Sequence, residues 1–582
     1  MKKKILSLLL TGAMAVSMLA GCGNSEETNN TGSTETGSTG TSDTSEEELE
    51  KPVDDLTQSR DITVWLYKDD YKIYYESYDE NPAVQYLNDK FNCSISFQQP
   101  AKGSESDQFS LMIGTGSYTD VMEISYSTEG VTTLYADGVI QDLAPYLETY
   151  APNFYSFINK EENADVRKAL YDEEGHLFTI PMGVNMEDTL AWGGMVYRRD
   201  ILETMTGGYV SFPSGNEEPS TVDDMEYMLE LYTQYFAAAG FADSAGLILP
   251  YTGYLTFGDL LNGFGTAPSF YVEDGTVKYG PVQEGYYNYL VKMNEWYEKG
   301  YIYQDFASRT NDVFYVPNTS LTYGGAAGIW YGLTSQLGDA MSMPEYNLIM
   351  EVNAMAAPLD TENGVKEALG YMGIVSDRAK MNTNGYVVSS ACSEENLIRW
   401  LTVCDYLFTE EGGMLRVYGL TADQGADENP IYQKAGIDGG AYTYDGTEFK
   451  YNEKLQPSVG ELSVEGSSNS FIGARLPGLN INEFEIENSA EEAIAANDIW
   501  KTYGSDNNYP QGITFNAEDN NTASTNSSAY SDYLNSMVPK FIMGTEVLNE
   551  DTWKAFVKQM NALGVDANTA IYQQYYDNFN AK

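Results

Sequence analysis

Three features of the 582-residue chain predict an α/β fold of at least two lobes. Strand and helix patterns alternate from Asp61 onward, as in a parallel sheet wrapped by helices. The chain is too long for one compact core. Hydrophobic residues at 42% and aromatics at 13% exclude a wholly disordered protein.

The amino terminus stands apart from that fold. Lys2, Lys3 and Lys4 precede a mostly apolar stretch at 5–19, which closes on Leu19-Ala20-Gly21-Cys22. A cationic start, a short apolar run and small residues at its end make a secretory signal. Ser7, Thr11, Gly12 and Ser17 break the run, and it is shorter than the ~20 residues of a bilayer-spanning helix. Leu-Ala-Gly-Cys is similar to a bacterial lipobox, where cleavage falls before a cysteine that then carries lipid. That resemblance implies a lipoprotein signal peptide at 1–21 and lipidation, with palmitate, at Cys22. Two acyl chains hold a protein at a bilayer where one does so only marginally. The expected location is the extracellular face of the cell membrane. Residues 23–60 are Asn, Thr, Gly, Ser and Glu with few apolar groups, a disordered linker of roughly 35 Å reach.

The full chain carries 32 Lys+Arg against 86 Asp+Glu, a formal charge of −54. Such a field repels nucleic acid and anionic headgroups, so no nucleic-acid partner is expected. The single histidine, His176, leaves no His-rich metal site and little room for a Ser-His-Asp or Cys-His mechanism. No catalytic residue, metal or cofactor is therefore assigned. Beyond Cys22 the cysteines are Cys93, Cys392 and Cys404. Cys404 shares a helical apolar stripe with Leu397, Leu401 and Phe408, which reads as a buried thiol.

Taken in order, Ile62, Val64 and Leu66 alternate with polar or aromatic neighbours as a first strand. Asn81-Pro82 opens a helix whose inner face is Val84, Leu87 and Phe91. Cys93, Ile95 and Phe97 mark a second strand, Phe109 and Met112 a second helix, and 119–124 a third strand. In open α/β sheets ligands sit beyond the carboxyl ends of the strands. Trp65 and Tyr67 at the end of the first strand, and Tyr71, Tyr74, Tyr75 and Tyr78 in the long connection after it, are thus candidates for a cleft rim. The run YDEEGHLFTIPM at 171–182 has a fragment of a calcium loop but not its twelve-residue ligand pattern, and reads as a hairpin turn. Ser220 or Thr221 caps a helix over 220–239, and another covers 286–298. Gly324-Gly325-Ala326-Ala327-Gly328-Ile329-Trp330-Tyr331 lacks the Lys-Ser/Thr ending of a phosphate loop. Ser393 caps a helix predicted to stop at Gly412-Gly413. Residues 421–470 are polar, Gly-rich and irregular. Trp553, Phe556, Val557, Met560 and Leu563 form an amphipathic stripe, followed by a last helix with Ile571, Tyr575 and Phe579.

Several segments together carry a resemblance: ITVW, LMIGTGSYTDVMEI, YADGVIQDLAPYLETYAPN, EEGHLFTIPMG, MVYRRDIL, PSTVDDMEYML, NGYVVSSACSEENLIRWLTVCDYLFTEEGGMLRVYG and KFIMGTEVLNEDTWKAFVKQMNALGV. In this order and spacing, from about Asp61 to the C-terminus, the chain resembles the family 1 extracellular solute-binding lipoproteins of bacterial ABC importers. Within that carbohydrate-binding type it looks like the large Gram-positive subgroup. Tyr118-Thr119 departs from the usual Leu-Pro before Asp120, and 421–470 follows no family pattern.

The resemblance implies a two-lobed, type II periplasmic-binding-protein-like fold, each lobe a mainly parallel sheet flanked by helices. Crossings are expected near 179–184 and 384–388. The N-terminal lobe would combine 61–182 with 385–470, and the C-terminal lobe 183–384 with 471–582. The implied function is capture of a sugar or oligosaccharide between the lobes and its delivery to ABC permease subunits. In relatives a Trp after a GGAAGI-like strand stacks on sugar; that position holds Trp330, followed by Tyr331. Trp192, shortly after the first crossing, is a further candidate. The alternatives are a binder of a peptide or sugar derivative on the same scaffold, or a surface glycoside hydrolase using two carboxylates. No motif marks such a pair.

Overall fold

In the computed structural model the described residues are 53–67, 74–172, 174–185, 191, 193–249, 258–308, 316–370, 381–456, 470–484, 489–500, 506–510 and 512–581. The expected elements at 1–52, including Cys22, lie outside them.

The alternation read from the first strands decides their packing. Ile62 and Val64 on Arg60–Trp65 enter one apolar cluster, while Trp65 enters the cluster on the opposite face of the sheet. Val121 and Met122 divide between the same two clusters, because successive side chains point to opposite faces. The first sheet runs in the order Leu479–Asn480, Ile180–Asn185, Met381–Val388, Val121–Glu123, Arg60–Trp65, Cys93–Gln98. Its pairings are parallel except where Met381–Val388 runs back between its two neighbours. The second sheet runs Val352–Ala354, Gly193–Arg198, Ala327–Leu333, Ala245–Leu247. Only the last pairing there is parallel, so the mainly parallel expectation describes the first sheet and not the second.

Helix starts follow their sequence signals. The Asn81 side chain accepts from the N–H groups of Ala83 and Val84, with Pro82 at the first helical position of Pro82–Phe91. Thr221, rather than Ser220, caps Val222–Ala239 and forms a capping box with Asp224. Ser393 caps Glu394–Leu407. Gly412-Gly413 does not end that helix. The chain turns at Phe408 and Thr409, and Thr409 caps a new helix, Glu410–Tyr418, that contains both glycines. A Cβ on Gly412 would lie 2.0 Å from the Tyr406 carbonyl, so glycine serves close packing of two helices here.

Packing begins before Asp61. The fully buried Arg399 pairs with Asp54 and donates to the carbonyls of Asp55, Gln58, Phe91 and Asn92, which draws residues expected in the linker into the first lobe. Residues 471–484, expected in the second lobe, also join the first. Phe471, Leu476, Leu479, Ile481 and Phe484 pack in its core. The irregular region 421–470 supplies a short hairpin, Tyr442–Tyr444 with Phe449–Tyr451, whose rings pack around Tyr418. Cys93, Cys392 and Cys404 are buried free thiols. Among the described residues no helix is long and apolar enough to cross a membrane.

Candidate functional site

The first lobe's parallel strands carry Glu123 and Trp65 at their carboxyl ends. Glu123 is fully buried; one carboxylate oxygen accepts from the Ser125 N–H at 2.9 Å, and the other faces the Arg475 guanidinium at 3.6 Å. Arg475 reaches back to the Tyr67 carbonyl at 3.5 Å, and the Tyr67 ring stands perpendicular to Tyr126. Charge and aromatic surface thus gather where the α/β topology places ligands.

A cavity of about 420 Å³ lies between elements that belong to different cores. From the first lobe it is lined by Thr132, Tyr135, Lys168, Tyr171, His176 and Phe178. From the second come Ile513, Phe515, Asn516, Tyr575, Asn578 and Phe579. Val131–Ala136 carries Thr132 and Tyr135, Ala164–Leu170 carries Lys168 with Tyr171, His176 and Phe178 following it, the segment leading into Ala517–Ile542 carries Ile513, Phe515 and Asn516, and the end of Val565–Ala581 carries Tyr575, Asn578 and Phe579. Asn516 caps Ala517–Ile542 by accepting from the Asp519 N–H at 2.8 Å, and its own N–H donates to the Tyr575 hydroxyl at 2.9 Å. The halves touch: Thr132 Oγ1 donates to the Phe515 carbonyl at 3.2 Å, and Gly512 sits against Ala169 with no room for a Cβ.

The lining pairs rings with polar atoms. Tyr135 lies 5.0 Å from His176 and 4.7 Å from Phe178, and Phe515 lies 4.8 Å from Tyr575, measured between ring centroids. His176 Nδ1 is 2.9 Å from Asp172 Oδ2, across the turn closed by the Tyr171–Leu177 bridge. The hydrogen bond to Asp172 raises the imidazole above its ordinary 6.5, against the opposing effect of burial. Burial pushes Asp172 up, but the hydrogen bonds from His176 and from the Glu174 N–H outweigh it and hold the carboxyl below 3.8. The volume falls in the range of small-ligand pockets. Stacking faces beside carboxylate, amide and hydroxyl groups suit a polyhydroxylated ligand with apolar C–H faces. Among the described residues no group of three or more His, Cys, Asp or Glu is arranged to hold a metal ion.

None of the described residues named as ligand candidates from the sequence lines this cavity. Trp330 is 3% exposed; it lies in the core between the second sheet and Glu491–Trp500, and its indole N–H donates to Gln336 Oε1 at 3.1 Å. Tyr331 is buried on the opposite face, its hydroxyl accepting from the Leu260 N–H at 3.1 Å. Trp65 is buried 5.1 Å from Phe109, and Tyr67 is half-buried. Tyr71 and Trp192 lie outside the described residues. Of the other rim tyrosines, Tyr75 and Tyr78 are core residues. The sequence left His176 as an ordinary hairpin residue. Its neighbours in the cavity, Phe515 and Tyr575, lie hundreds of positions away, and no local pattern joins them.

No family model matches the chain, and no curated protein sequence matches it. Solved structures do. An extracellular solute-binding protein from Bifidobacterium longum subsp. infantis superposes with a TM-score of 0.68 at 18% identity, over 90% of this chain and 100% of its own. An HMO-binding, ABC-transporter-associated solute-binding protein from Bifidobacterium longum infantis gives 0.66 at 17%, over 89% and 99%. The S. pneumoniae ABC-transporter substrate-binding protein FusA, in complex with kestose, gives 0.63 at 16%, over 90% and 100%. The chain has the two-lobed α/β fold of ABC-transporter solute-binding proteins.

Proposed function

We propose that this protein captures a sugar or oligosaccharide between its lobes and hands it to the permease of an ABC importer, without chemical change. The observation that carries this reading is the cavity whose walls come from both lobes, with Tyr135 and Phe178 on one side and Phe515 and Tyr575 on the other. A neutral sugar offers no charge, so its affinity comes from stacking and hydrogen bonds in a largely dry site. The structural neighbours named as binders of HMO and kestose support the same ligand class. Titration calorimetry with a panel of oligosaccharides tests it: saturable heat with no new reducing ends is the expected result. Release of shortened products would instead favour a glycoside hydrolase.

The reading extends to an anchor at Cys22, supported by the lipobox-like Leu19-Ala20-Gly21-Cys22. Cys22→Ala is expected to release the chain into the medium or leave it unprocessed. A mature-sized, lipid-labelled mutant that still fractionates with membranes would end the anchor proposal.

A further inference from the structure

The lobes meet at a seam that borders the interlobe cavity. The second lobe holds the chain at 507–509 and again at 515–516. The Asn507 carbonyl accepts from the Val272 N–H at 2.8 Å, and its side-chain amide donates to the Val272 carbonyl at 2.7 Å. The Tyr509 hydroxyl donates to the Tyr572 carbonyl at 2.9 Å, and the Phe515 ring packs on Tyr572 and Tyr575 with centroids 4.9 and 4.8 Å away. Between these fixed points Gly512 lies against Ala169, on Ala164–Leu170 of the first lobe. A Cβ on Gly512 would stand 2.2 Å from the Ala169 Cβ and 2.7 Å from its carbonyl oxygen. Ala169 is half-buried, packs on the first core and does not line the cavity.

Two more contacts join the same elements. Thr132 Oγ1 reaches the Phe515 carbonyl at 3.2 Å, and the Lys168 ammonium lies 5.7 Å from the centre of the Phe579 ring. All three contacts are non-covalent and span two cores, so a rotation that parts the lobes breaks them together. Their free energy therefore belongs to the closed arrangement alone. Small residues at 169 and 512 let the two backbones approach closely, and a gap of about 0.5–1 Å already forfeits a quarter to a half of the dispersion attraction. Apparent affinity scales with the fraction of molecules already in the competent arrangement, so Ala169 acts on binding without touching a ligand.

We propose that this seam holds part of the ligand-free population closed, and that the small side chain at 169 thereby sets the affinity of the interlobe site. The affinity half rests on the interlobe reading; the closed population does not.

Small-angle scattering of the full chain without sugar tests it. Ala169→Val drives a methyl group toward Gly512, whereas Ala169→Gly loosens the same helix without a wedge. The expected result is a larger radius of gyration for Ala169→Val than for the wild type, with Ala169→Gly close to the wild type. Equal radii in Ala169→Val and wild type overturn the proposal. Equal expansion in both variants also overturns it, since loss of helix stability would then explain the change. Gly512→Ala places the wedge on the other lobe and should expand the protein likewise; a compact Gly512→Ala overturns the seam even where Ala169→Val does not fold. With maltohexaose and cellohexaose as probes, Ala169→Val should weaken each sugar that the wild type binds by one common factor, roughly tenfold. Factors that differ between sugars would make position 169 a ligand contact and overturn its assigned role. Because the scattering contains no sugar, failure of the sugar reading leaves its outcome intact.

Discussion

Two aromatic residues separate ligand binding from packing. Tyr135 is partly exposed on the cavity wall, whereas Trp330 is enclosed by Val196, Ala327 and Trp500. Tyr135→Ala is expected to weaken oligosaccharide binding about tenfold or more with little change in stability, as calorimetry and thermal melts would show. Trp330→Ala is expected to destabilise the fold by about 3–5 kcal/mol, since it leaves a cavity and strips Gln336 of a donor. Denaturant midpoints at an unchanged slope check this; an unaltered midpoint with lost affinity would return Trp330 to the ligand. His176 adds a pH dependence. Its pKa is raised in the fold, so its contribution is fully present below 6.5 and disappears as pH rises through the higher folded value. Asp172 is held below 3.8, so its share is present above that value and lost as pH falls through the folded one. The melting-temperature advantage of the wild type over His176→Gln should therefore be greatest between those limits and fade toward alkaline pH. An advantage that is flat with pH would count against the pair.

At the scale of elements, legibility followed the length of the pattern. Arg60–Trp65 and Cys93–Gln98 were readable because apolar residues recur at every second position and the helix between them begins at Asn81-Pro82. The hairpin Tyr442–Tyr444 with Phe449–Tyr451 was not, because three-residue strands are too short to display a period. The glycine-rich run at 324–331 was read as lacking a phosphate-loop ending and, by resemblance, as a strand followed by a sugar-stacking Trp330, whereas Trp330 lies within the strand Ala327–Leu333 and in the core. Its glycines have a packing role: a Cβ on Gly328 would lie 2.3 Å from the Tyr232 ring, and one on Gly194, in the neighbouring strand, 2.4 Å from the Trp500 indole. Two large rings therefore lie flat on opposite faces of this sheet. Gly328→Ala is expected to cost about 1–3 kcal/mol through overpacking, although alanine suits a strand no worse than glycine. A thermal melt at wild-type temperature would show that Tyr232 can move aside without loss.

For the whole molecule, the crossings and the cavity are linked by one arrangement. Leu479–Asn480, Ile180–Asn185 and Met381–Val388 are adjacent in the first sheet, so all three passages between the lobes leave from one edge. The lobe change expected at 470/471 fell before Leu479–Asn480, because that strand is two residues long and had no visible partner until Val184 and Asn185 came beside it. Their base is stiff. Arg416, buried behind Gly183, donates to the carbonyls of Met182, Ala474 and Leu476 and to the Asn480 side chain, while Asn185 accepts from both Asn480 and Asn482. With these three strands adjacent in one sheet, rotation of one lobe on the other would be absorbed where the chain leaves them, as in hinge closure around a ligand. The cavity walls at Tyr135 and Phe515 belong to different lobes, so their spacing is set by that rotation. A ligand that contacts both walls binds the closed arrangement more tightly and shifts the population toward it. Small-angle scattering should therefore show a smaller radius of gyration with saturating oligosaccharide than without. Phe515→Ala removes one wall's stacking surface, so at equal occupancy it should reduce that contraction. A scattering profile unchanged at saturation, in a protein shown by calorimetry to be liganded, would leave the sugar on one lobe alone.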